Sequence, residues 1–226
     1  MAVANRPKTI MWHEEILSRN TLRALTYIGE QQWFRRSTWY LAGGTALALQ
    51  VGHRTSIDLD FFIPQSTFST AKFMNLLPTK VWQTNILREG TLYGKLYGTK
   101  TSFIAYPFFV PQYPFLNYKN LRILDAHDIA VMKITAISQR GKKRDFVDLY
   151  WCCTNLLPLD DALKRIPSQY LNGTAGLHHI LKSLTYFADA EDDPMPTLFF
   201  RATWKEIKTF FQREIPRVAK ELLELR

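Results

Sequence analysis

At 226 residues and 26.4 kDa the chain is long enough for one large domain, or a domain with a helical extension, whose core needs no disulfide or metal to hold it. Its composition, 46% hydrophobic with 14% aromatic and 22% charged residues, excludes a disordered chain. Its two cysteines, the neighbours Cys152 and Cys153, exclude a disulfide framework or a zinc site of their own. Basic residues outnumber acidic ones by 29 to 20, a net charge of +9, which points to a polyanionic partner such as a nucleic acid or a nucleotide phosphate.

No apolar run approaches the ~20 residues of a membrane span, and Met1 to Pro7 lacks the apolar stretch of a signal peptide. The expectation is a cytoplasmic protein with no membrane partner. Apolar spacing predicts a helix over 9–30, carried by Ile10, Ile16, Leu17, Leu22, Leu25 and Ile28. Residues 38–42 read as a short strand ending at Gly43-Gly44, 45–51 as a short helix stopped by Gly52, 56–63 as a half-buried strand and 66–77 as a helix. Residues 80–107, rich in Val, Thr, Tyr, Leu and Phe and punctuated by glycines, predict two or three antiparallel strands. A Pro- and aromatic-rich loop follows over 108–120, and then a last short strand at 121–124; the aromatic run 106–118 reads as a lid, a platform for stacking the bases of an acceptor or core packing, the last preferred. Beyond Asp125 the pattern is helical: 127–139, capped by Asp125-x-x-Asp128, then 145–155, breaks at Pro158 and Pro167, and a closing amphipathic stretch over 203–225. The expected organisation is therefore a mixed α/β core over 1–125 with a helical region, 126–226, packed on it. Cys152-Cys153 reads as buried filler on a helix.

Asp58 and Asp60 are the centre of the chemistry. Residues i and i+2 of a strand share one face, roughly 6–7 Å apart, so both carboxylates project together while Leu59 points into the core. Two such carboxylates are a platform for Mg²⁺, or Mn²⁺ in its place, and so for phosphoryl chemistry. An exposed strand with two solvated aspartates has the same sequence, so the neighbours matter. Gly43-Gly44-Thr45 lies between a strand and a helix, where free N–H groups and a close backbone approach suit a phosphate. Arg54, in His53-Arg54-x-Ser56, suits a bidentate hold on phosphate oxygens, whereas His53 reads as a surface residue without a role. Lys133 and Arg140 stand seven residues apart on one helix, facing either a triphosphate or, for Lys133, open solvent at the end of a buried stem. The turn Arg140 to Arg144 holds four basic residues and reads as a rim for nucleic acid or as a solvated loop. Asp145 is equally a helix cap or an acid facing the site; Asp148 reads as structural.

Two separated blocks carry a resemblance over about residues 38–150. Leu41-Ala-Gly-Gly-Thr-Ala-Leu-Ala-Leu49 with Gly52-His-Arg-x-Ser-x-Asp-Leu-Asp-Phe-Phe62, and Asp128-Ile-Ala-x-Met-Lys-x-x-Ala136 with Arg140-Gly-x-x-Arg-Asp-x-x-Asp-Leu-Tyr150, resemble the AbiEii/AbiGii-type nucleotidyltransferase toxins. The resemblance implies an α+β fold, a DNA polymerase beta-like core with a small mixed or antiparallel sheet followed by a C-terminal helical bundle. It implies transfer of a nucleoside monophosphate from an NTP, with Mg²⁺, to an RNA acceptor such as tRNA, in a phage-defence or toxin–antitoxin setting with a cognate antitoxin encoded alongside. By position, Gly43, Gly44, Thr45, Arg54, Ser56, Lys133 and Arg140 bind nucleotide, Asp58 and Asp60 hold metal, and Asp58, Asp60, Lys133 and Asp145 are catalytic. Many of these enzymes take a third carboxylate from a neighbouring strand, but residues 90–124 contain no Asp or Glu, and Ser102 stands where it would be. Two rival readings follow: a nucleotidyltransferase for a small cationic acceptor, which a charge of +9 disfavours, and a non-catalytic nucleotide- or RNA-binding module, which the missing carboxylate favours.

Overall fold

The computed structural model describes residues 11–170 and 176–224. Residues 9 and 10 of the first expected helix and Leu225 of the last lie outside the described residues, as does the Met1–Pro7 segment. The first helix, α1 (Arg19–Glu30), starts ten residues later than its apolar spacing suggests. Leu17 is extended, and the Ser18 hydroxyl caps the helix by accepting the Thr21 N–H at 3.1 Å. Residues 14–16 form only a single tight turn. After α2 (Gln32–Arg35) come β1 (Tyr40–Ala42), α3 (Gly43–Val51) and β2 (Leu59–Ile63). Gly52 ends α3 in the left-handed region at φ 64°, as its position predicts. Ser56 to Asp58, expected within the strand, precede the β2 ladder. Helix α4 (Thr70–Met74) is shorter than expected because Ser69 caps it.

The glycine-punctuated region forms three strands, β3 (Trp82–Arg88), β4 (Thr91–Leu96) and β5 (Thr99–Ala105). The aromatic loop ends in a strand that propensity misses: β6 (Leu116–Tyr118) turns through Lys119 and Asn120, both at positive φ, into β7 (Leu121–Ile123). The helices that follow are α5 (Ala126–Arg140), α6 (Lys143–Asn155), α7 (Leu159–Gln169), α8 (Leu177–Ser183), α9 (Ala188–Glu191) and α10 (Trp204–Glu224). Pro158 caps α7, but Pro167 lies inside its last turn, where a missing N–H costs one bond rather than the helix. Among the described residues no helix is long and apolar enough to cross a membrane.

The strands form one mixed sheet in the order β3-β4-β5-β2-β1-β7-β6. β2–β5 and β1–β7 run parallel, and the other neighbours antiparallel. One face is a dry aromatic layer. Phe61 and Phe103 stack at 5.2 Å between centroids, flanked edge-on by Trp33, Phe34 and Trp39. That layer explains the alternation in β2: Leu59, Phe61 and Ile63 are buried, and Asp60 and Phe62 point the other way. The aromatic loop is pinned rather than mobile in design: Phe109 packs on Tyr170, Phe115 on Tyr40 and Tyr113 on His127. Asp128 accepts the Gln112 and Tyr113 N–H groups and the Gln169 amide, so it anchors this loop instead of completing the cap expected with Asp125. Cys152 is fully buried and Cys153 half-buried against the core, both with free thiols, so only the first is the buried filler expected.

Candidate active site

Register sets the site. Asp60 pairs across the sheet with Ala42 on β1 and Ser102 on β5; Ser102 pairs with Tyr93 on β4, and Tyr93 with Ile86 on β3. Side chains in such a row share a face. Two residues away, a second row runs from Lys100 to Lys95 to Gln83, and Asp58, just before the β2 ladder, borders the same cavity as the two lysines. The two carboxylates therefore emerge on the face opposite the aromatic layer, as the Asp-x-Asp spacing implies. Ser102 Oγ donates to Asp60 Oδ1 at 2.7 Å, so the serine occupies the position beside Asp60 that a third carboxylate would take. Asp58 Oδ2 lies 3.0 Å from Arg144 Nη1 in a half-exposed pair.

The glycines earn their places by what their missing Cβ atoms leave room for. A Cβ on Gly43, which sits at φ 72°, would come within 2.9 Å of Asp60 Oδ2; one on Gly44 would collide with the Arg54 guanidinium. Gly-Gly thus lets the start of α3 press against both a carboxylate and an arginine. The helix starts from Ala42 with no side-chain cap, which leaves its first N–H groups for another acceptor. Thr45 does not face that acceptor. Its buried hydroxyl donates to the Asp58 carbonyl and meets Ser56 Oγ at 2.8 Å, so Thr45 and Ser56 tie the Asp58 loop to the helix.

Below this surface lies a buried charge cluster. Asp148, wholly buried, receives Arg54 Nε at 2.5 Å and Nη2 at 2.8 Å, His53 Nε2 at 2.7 Å and Lys133 Nζ at 2.6 Å. Lys133 Nζ also lies 2.7 Å from Asp145 Oδ1, and Arg140 takes the same carboxylate in a two-pronged contact at 2.8 and 3.0 Å. Burial alone would raise both aspartates, but the facing Arg54 and Lys133 hold Asp148 well below the usual carboxylate range, and Lys133 and Arg140 lower Asp145. Three expectations change here. The Arg54 fork is committed to Asp148 rather than free for phosphate. Asp145 is neither the N-cap of α6, which is Lys142, nor an acid facing the Asp58–Asp60 pair, since both its oxygens are taken. His53 is buried and bonded, not a surface residue. Lys133 and Arg140 stay at the site: both line the spaces against Gly43 and Asp60.

Burial lowers the His53 pKa despite its Asp148 partner. A group protonated more easily when unfolded loses stability as pH falls below its unfolded value, about 6.5 for histidine. Asp148 and Asp145, also lowered, add their loss only as pH falls below about 3.9, the unfolded carboxyl value. Thermal melts should therefore show a first decline starting near pH 6.5 that His53→Gln removes, and a second in the carboxylate range that it leaves.

Two cavities flank Asp60 and Arg140. One, about 260 Å³, lies between the sheet and α5 and is walled by Phe62, Ile104, Tyr106 and Met132. The other, about 400 Å³, lies over β3–β4–β5 and includes Asp58, Ile86, Tyr93, Lys95, Lys100 and Ser102. The basic turn is not the open rim its composition suggests. Arg140 holds Asp145, Lys142 holds Asp193, Lys143 is buried against the Glu191 and Asp193 carbonyls, and Arg144 holds Asp58. Tyr93, Lys95 and Lys100 are site-face residues that motif reading passed over. Their signal was the alternation Tyr93-Gly-Lys95 in a strand next to the Asp-x-Asp strand. Among the described residues no group of three or more His, Cys, Asp and Glu side chains is placed to hold a metal. Two carboxylates on one open face fit a hard cation whose remaining ligands are phosphate oxygens and water.

This sheet, helix start and carboxylate pair define an α+β nucleotidyltransferase. A protein of H. pylori assigned as a nucleotidyltransferase superposes with a TM-score of 0.54 at 16% identity, covering 92% of this chain and 99% of that one, a likeness of fold. The family model described as nucleotidyl transferase AbiEii toxin, type IV TA system, matches residues 31–85 and 100–224. The chain belongs to that family of nucleotidyltransferase toxins. It is also 36% identical over 197 residues to the uncharacterized protein aq_aa25 of Aquifex aeolicus (strain VF5), covering 82% of this chain and 88% of the relative.

Proposed function

We propose that this nucleotidyltransferase moves a nucleoside monophosphate from an NTP to the 3′-hydroxyl of an RNA in the cytoplasm, as the toxin of a toxin–antitoxin or phage-defence pair whose antitoxin is encoded alongside. The working unit is the α/β core, 1–125, with the helical region, 126–226, lending Lys133, Arg140 and Arg144. The observation that carries this reading is the position of Asp58 and Asp60, between the uncapped start of α3 on one side and a basic shelf without carboxylates on the other.

Asp58 and Asp60 would hold Mg²⁺ or Mn²⁺, which supplies charge neutralisation at the transferring phosphate. The Gly43 and Gly44 end of α3 receives the phosphates, and Lys133 and Arg140 add positive charge beside it. Lys133 has three donor protons, of which the two aspartates take two. Asp145 and, through Arg54, Asp148 act as positioning residues. The base of the NTP enters the cavity between Phe62, Tyr106 and Met132. The 3′ oxygen bonds to the α-phosphorus, the bond from that phosphorus to the pyrophosphate oxygen breaks, pyrophosphate leaves, and the hydroxyl proton passes to water. A cationic small-molecule acceptor finds no acidic residue on the shelf beyond the two aspartates themselves. The test offers each α-labelled NTP in turn with total RNA. A labelled RNA band supports the reading; label on small molecules alone, or none with NTP still bound, contradicts it.

A further inference from the structure

In-line displacement puts the attacking oxygen and the leaving group on opposite sides of the α-phosphate. The uncapped start of α3 follows β1, on one side of Asp60. The acceptor must then arrive from the opposite side, along β5, β4 and β3. That side carries a surface no motif explains. Tyr93 (39% exposed) and Ile86 (44%) stand in the row that ends at Asp60, an exposed aromatic and aliphatic pair on an otherwise polar strand face.

In the adjoining row Lys95 and Lys100 are paired directly across β4 and β5, both exposed. Like charges in that position destabilise a sheet. Among the described residues neither has an ion-pair partner, in contrast to Arg140, Lys142 and Arg144 of the 140–144 turn. Two unneutralised lysines held side by side next to a stackable ring, all lining one 400 Å³ cavity with Asp58 and Ser102, match the phosphate–base alternation of a single strand. Gly94 lies between Tyr93 and Lys95 because a Cβ there would collide with Trp82, which fixes this hairpin against β3.

We infer that the β3–β4–β5 shelf is the acceptor subsite: the 3′-terminal base of a single-stranded RNA end stacks on Tyr93 and Ile86, and the phosphate preceding it lies between Lys95 and Lys100. This rests on the RNA reading above and adds where the RNA lies and which residues hold it. Lys95 and Lys100 line this cavity and not the one assigned to the NTP base, so they separate the two substrates; Tyr93 borders both.

The experiment uses the full chain and a fluorescein-labelled single-stranded RNA with a free 3′ end. Anisotropy gives its Kd over a salt series, and steady-state transfer gives KM for RNA and for NTP separately. In the Lys95→Ala, Lys100→Ala variant, Kd and KM for RNA rise about tenfold or more. The slope of log Kd against log salt falls by about 0.7, the value for one phosphate contact on a single strand, and KM for NTP stays at the parent value. Tyr93→Ala weakens RNA by ~5-fold or more, and Tyr93→Phe, which keeps the ring, restores it. Melting curves matching the parent confirm that each variant is folded. If the parent transfers to RNA and the lysine variant binds RNA as tightly, the subsite is wrong while the function stands. A rise confined to KM for NTP also overturns it, by making the shelf part of the nucleotide site. If the parent neither binds nor extends RNA, the RNA reading itself fails and the subsite falls with it.

Discussion

Asp60→Asn lowers transfer about a thousandfold or more, with the melting temperature within a few degrees of the parent. The substitution keeps shape, and Ser102 Oγ can still donate to the amide oxygen as it does to Asp60 Oδ1. It removes the charge on the carboxylate nearest the helix start, against which Gly43 is packed. A thousandfold is ~4 kcal/mol of transition-state stabilisation, in the range that a metal-bound charge supplies. Single-turnover rates with saturating NTP and RNA measure it. A loss under tenfold would mean that Asp60 does not take part in the reaction. Ser102→Asp is the companion change, because it puts a carboxylate where many of these enzymes are expected to have one; a gain in rate would identify the serine as a brake on this chain.

Asp148→Ala is expected to cost ~3–5 kcal/mol of stability, the range for removing one partner from a buried ionic group. At ~2–4 °C per kcal/mol for a chain of this size, the melting temperature falls by roughly 6–20 °C. The reason is what stays behind. Arg54, at 4% exposure, Lys133, also at 4%, and His53, at 1%, lose their shared acceptor, and of the three only Lys133 keeps another carboxylate, Asp145. Asp148→Asn should cost less, since the amide oxygen still accepts one of these donors. Arg54 passes beneath Gly44, so activity should fall in the folded fraction too, through movement of the α3 start. Differential scanning calorimetry with parallel rates on folded protein separates the two effects. A near-neutral Asp148→Ala would show that the cluster contributes little.

The sequence makes the face-sharing carboxylates legible because a strand has a period of two, and period survives without tertiary information. Gly52 and the glycine-punctuated meander were legible for a similar local reason: left-handed turns favour glycine. The partners of Arg54, Lys133 and Asp145 were not. Arg54 meets Asp148 across 94 residues of chain, and whether an arginine forks onto a phosphate or a buried carboxylate depends on which comes within 3 Å. His53 fails for the same reason, with its acceptor 95 residues away. The start of α1 was missed because the apolar stripe continues past Ser18, whose hydroxyl captures the Thr21 N–H and stops the helix there. The β6 strand was hidden by prolines and aromatics, and its turn uses Lys119 and Asn120 at positive φ, where glycine is the usual signal. Ser102 was placed correctly beside Asp60 only through the family resemblance, and the parallel register of β2 with β5 supplies the physical reason.

Nucleotidyl transfer at the Asp58–Asp60 pair is tested by comparing α-labelled with γ-labelled NTP, in the presence of divalent metal and RNA, for the parent and for Asp60→Asn. Nucleotidyl transfer at this pair puts the α label alone into RNA, with one pyrophosphate released per label, and Asp60→Asn abolishes both. Entry of the γ label would make the enzyme a phosphate-transferring kinase, and undiminished α transfer in Asp60→Asn would locate the chemistry elsewhere; either result contradicts nucleotidyl transfer at the Asp58–Asp60 pair.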